Sequence, residues 1–70
     1  MNIILNGQPF ELPDDATVAS LIHLRQQSGH LQTPAYAVER NKEVVFRPDH
    51  PTTPLAPNDK IEIVVMVGGG

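Results

Sequence analysis

Cysteine and tryptophan are absent from this chain of 70 residues, and aromatic side chains make up only 4% of it. A domain this small without cysteine has no disulfide to brace it and must be held by its apolar core alone, which suits a reducing compartment and predicts a cytoplasmic protein. The missing thiolates also weigh against a zinc site. His23, His30 and His50, with Asp49 and Glu39, lack the close ligand spacing that such sites use, and scattered surface histidines account for them better. Positive charge is scarce too. The five basic residues, Arg25, Arg40, Lys42, Arg47 and Lys60, are dispersed among eight acidic ones for a net charge of -3, so no basic patch is available to displace counterions from a nucleic-acid backbone. Long apolar runs are lacking as well: the longest, Ile63 to Val67, falls far short of the roughly 20 residues that span a bilayer. Met1-Asn2 followed by Ile3 to Leu5 has neither the basic start nor the apolar length of a signal segment. Neither nucleic acid nor a membrane is expected as a partner.

What is present is an ordinary globular composition, 40% hydrophobic and 19% charged, on a chain long enough for one core and too short for two. The first extended stretch, Ile3 to Leu5, runs into Asn6-Gly7 and is followed by Phe10-Glu11-Leu12. Asn-Gly supplies the two positive-φ positions of a type I′ turn, so the chain is predicted to open as a β-hairpin. Alternation places Ile3, Leu5, Phe10 and Leu12 over the core and Glu11 outside. Pro13-Asp14-Asp15 breaks the strand, Thr17 is a suitable N-cap, Val18, Leu21 and Ile22 recur at helical spacing, and Gly29 is the C′ stop. Asp14 and Asp15 stand where a helix dipole favours negative charge, and read better as solvated charges than as a catalytic acid-base pair.

Two short strands, Ala35 to Arg40 and Glu43 to Phe46, flank Asn41-Lys42, a weaker hairpin signal because Lys42 lacks glycine's ease in the left-handed region. Four prolines from Pro48 to Pro57 argue against a regular helix or a central strand and predict a rigid surface connection. Lys60 to Val67 then alternates Ile61, Ile63, Val65 and Val67 with Glu62, Val64 and Met66, becoming apolar on both faces toward its end. That pattern suits the middle of a sheet or a face that meets a partner. The class is therefore α+β in the order ββαβββ, a domain over residues 1–67 followed by a tail at 68–70. If one helix covers one face of the sheet, Ile4, Val64 and Met66 form an exposed apolar patch on the other, the expected partner interface. The alternative is that loop residues such as Leu55 cover them.

Gly68-Gly69-Gly70 needs its own account, since three successive glycines at a fixed place arise by chance about three times in ten thousand. An untethered end tolerates glycine, so simple fraying is one explanation. The other is that three residues without Cβ atoms extend roughly 10 Å and pass a channel too narrow for other side chains. The strand ending at Val67 would set the direction of such a flexible tail, and the carboxylate of Gly70, ionised at neutral pH, could attack an activated phosphate to give an acyl-adenylate.

The β-grasp order with its terminal glycines resembles the sulfur carriers of the ThiS family. The similarity runs along nearly the whole chain: Asn6-Gly7, Thr17-Val18 with Leu21, Ala35-Tyr36-Ala37-Val38 leading to Asn41, Val44-Val45 with Arg47, Pro54-Leu55, Asn58-Asp59, Ile61-Glu62-Ile63 and Val67-Gly68-Gly69-Gly70. Lys42 departs from the family's usual glycine, and Pro48 and Pro51 replace a stretch that more often forms a helical turn.

The resemblance implies a ubiquitin-like β-grasp, with a mixed sheet packed on one helix. It also implies a protein cosubstrate rather than an enzyme, with no bound cofactor of its own. A ThiF-like adenylating enzyme would use ATP and Mg to adenylate Gly70, and a sulfur-donating enzyme would supply the sulfur of the resulting thiocarboxylate. A ThiG-like thiazole synthase would take that sulfur for the thiamine thiazole. Gly69, with Gly68, would thread the partner's active site. Other readings stay open: a carrier for molybdopterin or another sulfurated product, a ubiquitin-like modifier, or a β-grasp binding module with frayed glycines.

Overall fold

The computed structural model describes residues 1–67, and its first turn shows how local sequence becomes structure. Asn6 and Gly7 take φ angles of 48° and 82°, the type I′ turn predicted for Asn-Gly. The turn joins β1 (Asn2–Leu5) to β2 (Gln8–Glu11) with Ile3 opposite Phe10. Ile3 is buried, Phe10 packs against the core, and Leu12 is buried just beyond β2.

Helix α1 (Val18–Gln27) begins at Thr17. The Thr17 hydroxyl accepts the Ser20 N–H at 3.2 Å and the Ser20 hydroxyl accepts the Thr17 N–H at 2.8 Å, a capping box with serine where glutamate is commoner. The first turn carries no acidic residue. Asp14, expected to serve the helix dipole, instead meets the N-terminal ammonium at 3.1 Å; it precedes the cap, and the dipole's influence fades beyond the terminal turn. At the C-terminus the Gly29 N–H donates to the Gln26 carbonyl at 3.2 Å and the His30 N–H to the Arg25 carbonyl at 3.0 Å. With Gly29 at a φ of 79° this is a Schellman closure, and it returns Leu31 to the core.

The second hairpin also forms. β3 (Tyr36–Arg40) and β4 (Glu43–Val45) are antiparallel, joined by Asn41 and Lys42 at φ 52° and 70°. Holding Lys42 there costs about 1–2 kcal/mol relative to glycine. Asn41 offsets this by binding the neighbouring strand, its Oδ1 accepting the Lys60 N–H at 2.9 Å and its Nδ2 donating to Asp59 Oδ1 at 3.1 Å.

The proline-rich segment is a surface connection, as expected, but it is more regular than its prolines suggested. Arg47–Thr52 forms a 3-10 turn with proline in its first positions, where a missing N–H breaks no bond. The Asp49 carbonyl accepts the hydroxyls of Thr52 at 3.3 Å and Thr53 at 2.7 Å. Two buried side chains, His50 and Leu55, anchor it inward. The Leu55 N–H donates to the Ala16 carbonyl, and Leu55 is part of the core. His50, expected at the surface, is buried with Nε2 at 2.9 Å from the Val45 carbonyl, an acceptor, so Nε2 carries the ring proton.

β5 (Lys60–Val65) completes a five-stranded mixed sheet in the order β2-β1-β5-β3-β4 among the described residues. It runs parallel to β1 and antiparallel to β3, and so occupies the centre, as its apolar character predicted. Val18 and Leu21 of α1 meet Ile3, Val38 and Ile61 of the sheet in a core where each is almost fully enclosed. This is the β-grasp arrangement, with one helix held against one face of the sheet.

Candidate functional site

The site is built around the change in surroundings along β5. Ile61 is 1% exposed and Val65, where the strand stops two residues short of the expected end at Val67, 49%; Val67 itself is 91% exposed. Val65 shares the core face with Ile61 and Ile63 by alternation, yet stands half outside because α1 stops short. The helix's last turn and its closure reach only to a cleft of about 50 Å³ lined by Asn6, Arg25, His30, Leu31, Ile63 and Val65. Beyond that cleft no second layer covers the strand among the described residues.

The start of β5 is fastened. Asp59 Oδ2 accepts Arg40 Nε at 2.8 Å and the Ala56 N–H at 2.8 Å, while Oδ1 accepts Asn41 Nδ2. Burial alone would raise the carboxyl's pKa, but the hydrogen bonds from Arg40, Ala56 and Asn41, with the Arg40 charge, outweigh it and hold Asp59 below its ordinary value. The end of β5 is held differently. The Met66 N–H donates to the Ala35 carbonyl at 2.8 Å, past the start of β3. On the β1 side, where backbone pairing ends at Leu5, the side chain of Asn6 accepts the Ile63 N–H at 2.8 Å and donates to the Ile63 carbonyl at 3.3 Å.

The sheet face away from α1 carries the expected patch in altered form. Val64 and Met66 are exposed, at 45% and 52%. Val64 lies opposite Ala37 on β3, and the same face continues to Val44 and the exposed Phe46 at the β4 edge. Ile4 stands apart: it is partly buried and pairs with Lys60, four positions before Val64, or about 13 Å along the strand. Between the two rows Glu62 lies directly opposite Glu39, a like-charge pair that costs stability where it stands. Leu55, the alternative cover for the patch, lies in the core on the helix side. Alternation along Glu43 to Phe46 could have added Val44 and Phe46 to the patch from sequence; the side-chain pairing of Asn6 could not be read there, because it joins residues 57 positions apart.

At the β4 edge a depression of about 220 Å³ opens among Tyr36, Val38, Val44, Val45, Phe46 and His50, smaller than the roughly 300–1,000 Å³ usual for small-molecule sites. Among the described residues no three His, Asp or Glu side chains converge as a metal-binding group. His23 is exposed, and His30, also exposed, has Nδ1 2.7 Å from the Ser28 hydroxyl. No helix is long and apolar enough to cross a membrane among the described residues. Gly68, Gly69 and Gly70, the expected threading and sulfur-bearing residues, lie outside the described residues.

A model of the ThiS family matches residues 3–70. Among solved structures, the chain is similar to the crystal structure of the thiamine biosynthesis protein ThiS from Geobacter metallireducens, with 28% identity and a TM-score of 0.77 over 100% of both chains. It is likewise similar to a solution structure of a thiamine biosynthesis protein from Geobacter metallireducens, with 28% identity and a TM-score of 0.69 over 100% of this chain and 88% of the other. No curated protein matches the chain. The family match spans both hairpins, the helix and the central strand that leads to the glycines, and the chain belongs to the ThiS family of small sulfur carriers.

Proposed function

We propose that this carrier serves thiamine biosynthesis, with Gly70 as the residue that bears the sulfur. The observation that carries the reading is the course of β5, a central strand that leaves the core apolar and exposed at Val65 to Val67, immediately before the three glycines. Family membership and the two thiamine biosynthesis neighbours support the same destination. In this reading a Gly70 carboxylate oxygen bonds to the α-phosphorus of ATP, with Mg, in an adenylating enzyme. The α–β phosphoanhydride bond breaks and pyrophosphate leaves. Sulfide released by a sulfur-donating enzyme then attacks the Gly70 acyl carbon, the bond to the AMP oxygen breaks and AMP leaves, giving the thiocarboxylate that a thiazole synthase consumes. Glycine at 68 and 69 keeps the approach slender.

The domain contributes a docking face. Val64 and Met66, with Ala37, Val44 and Phe46, offer an apolar surface bordered by Glu39 and Glu62, which suits a partner carrying apolar side chains beside basic ones. Ile4 supplies a separate contact beyond the acidic row. ATP–pyrophosphate exchange by the cognate adenylating enzyme tests the reading: exchange should depend on the full chain and vanish when Gly70 is deleted. Exchange that survives that deletion would overturn it.

A further inference from the structure

We infer that Asn6 and Arg47 are positioning residues that hold the end of β5 from its two sides, and that this fixed exit lets the C-terminal residues enter a partner's active site. The inference rests on the carrier reading and says how this chain aims its tail.

On the β1 side, the type I′ turn at Asn6-Gly7 takes the chain away from the sheet while β5 continues. The Asn6 N–H makes the last backbone bond, to the Ile61 carbonyl at 2.9 Å. The next outward-facing pair on β5, the N–H and carbonyl of Ile63, would face water. The Asn6 amide meets both, and so imitates the peptide group of a strand that is no longer there. The turn alone does not ask for this: glycine and aspartate also suit a positive φ at that position. Only asparagine combines that backbone preference with a short side chain carrying both an acceptor and a donor. Its two roles are therefore separable by mutation.

On the β3 side, the Met66 N–H is held by the carbonyl of Ala35, one residue before β3 begins. Arg47 pins that residue in place. Its Nη2 donates to the carbonyls of Pro34 and Tyr36, the latter at 3.2 Å, so one guanidinium nitrogen bridges the carbonyls of the two residues that flank Ala35. The guanidinium also lies over the Tyr36 ring, 4.1 Å from its centroid. A planar group that donates both bonds from one nitrogen while lying flat on the ring is available to arginine and not to lysine. The 3-10 turn that begins at Arg47 thus has a purpose at the far end of the sheet.

The consequence concerns order. Residues at the exposed end of a strand ordinarily fray, and a partner must then supply the free energy of straightening them. Here side chains hold the strand where the core cannot. A tail that leaves from a fixed root approaches its target with fewer alternatives to discard.

The test uses the full chain and four variants. Asn6→Gly keeps the turn and removes the amide, Asn6→Asp keeps the turn and the acceptor, and Arg47→Lys keeps the charge and loses the plane that seats the donor over Tyr36. Ser20→Ala weakens the helix cap and leaves β5 untouched. Amide hydrogen exchange in the isolated protein is expected to rise about fivefold at Ile63 in Asn6→Gly and at Met66 in Arg47→Lys, the scale of one lost hydrogen bond. The kcat/KM for activation of Gly70 by the cognate enzyme should fall by about the same factor, mainly through KM, with Asn6→Asp in between and Ser20→Ala unchanged. Exchange and kcat/KM matching the unmodified protein in Asn6→Gly and Arg47→Lys would overturn the inference, as would an equal loss of kcat/KM in Ser20→Ala. If the unmodified protein is not activated at all, the carrier reading fails; unchanged exchange in the variants overturns the clamp whatever the enzyme does.

Discussion

At the start of β5, Asp59 accepts three hydrogen bonds and Ile61 is sealed in the core, whereas past the end of the same strand Val67 is almost wholly exposed. The first end is fixed by packing and buried polar contacts, the second by peptide bonding and two side chains on the surface. A small domain has little stability to spare, and concentrating it at one end of the central strand frees the other to expose apolar side chains and present the tail. Packing and presentation are thus separated along one strand.

The contrast can be broken most forcefully by truncation at the two ends. Ile61→Ala should destabilise the domain by about 2–5 kcal/mol, and Val65→Ala, half exposed, by under about 1 kcal/mol, measured from urea midpoints. Similar losses would mean that the exit end is part of the core after all.

Next in size is the polar anchor. Asp59→Ala removes the acceptor for Arg40, Asn41 and Ala56 and should cost about 2–3 kcal/mol. The folded carboxyl titrates below its ordinary value near 3.8, so its contribution is complete above that value and is lost as pH falls through the lowered folded pKa. Stability measured across that acid range should fall less steeply in the variant than in the unmodified protein.

Lys42→Gly relieves a left-handed lysine at φ 70°; set against the larger chain entropy that glycine loses on folding, it should stabilise the same end by a net of about 0.5–1 kcal/mol, visible as a higher urea midpoint. The smallest effect on stability is expected on the presenting face. Glu62→Gln removes the repulsion with Glu39 and should gain a few tenths of a kcal/mol, on the scale of about 0.2–1 kcal/mol for cross-strand pairs, while weakening partner affinity in titration calorimetry.

Much of the element order was legible in sequence because its causes are local. Asn6-Gly7 fixed the first hairpin, Thr17 and Gly29 bounded the helix, and the alternation of Ile61 to Val65 marked the central strand. Readings failed where a tertiary partner decided the outcome. Asp14 found the N-terminal ammonium, His50 found the Val45 carbonyl, and the proline segment found a 3-10 turn anchored to α1. At the candidate site, Val64 and Met66 followed from alternation, but Ile4 fell in another row because strand register, not face alone, sets neighbours. The amide of Asn6 on Ile63 and the guanidinium of Arg47 on Pro34 and Tyr36 depend on which strands lie side by side. No short-range pattern encodes that.

The most direct measurement of the central claim, that the strand's free end presents a reactive Gly70, is the intact mass of the protein. It is incubated with its cognate adenylating enzyme, ATP, Mg and a sulfur source. The expected result is the gain of one oxygen-to-sulfur exchange in the full chain and none in the chain lacking Gly70. An unchanged mass in the full chain, or the same gain without Gly70, would contradict the account.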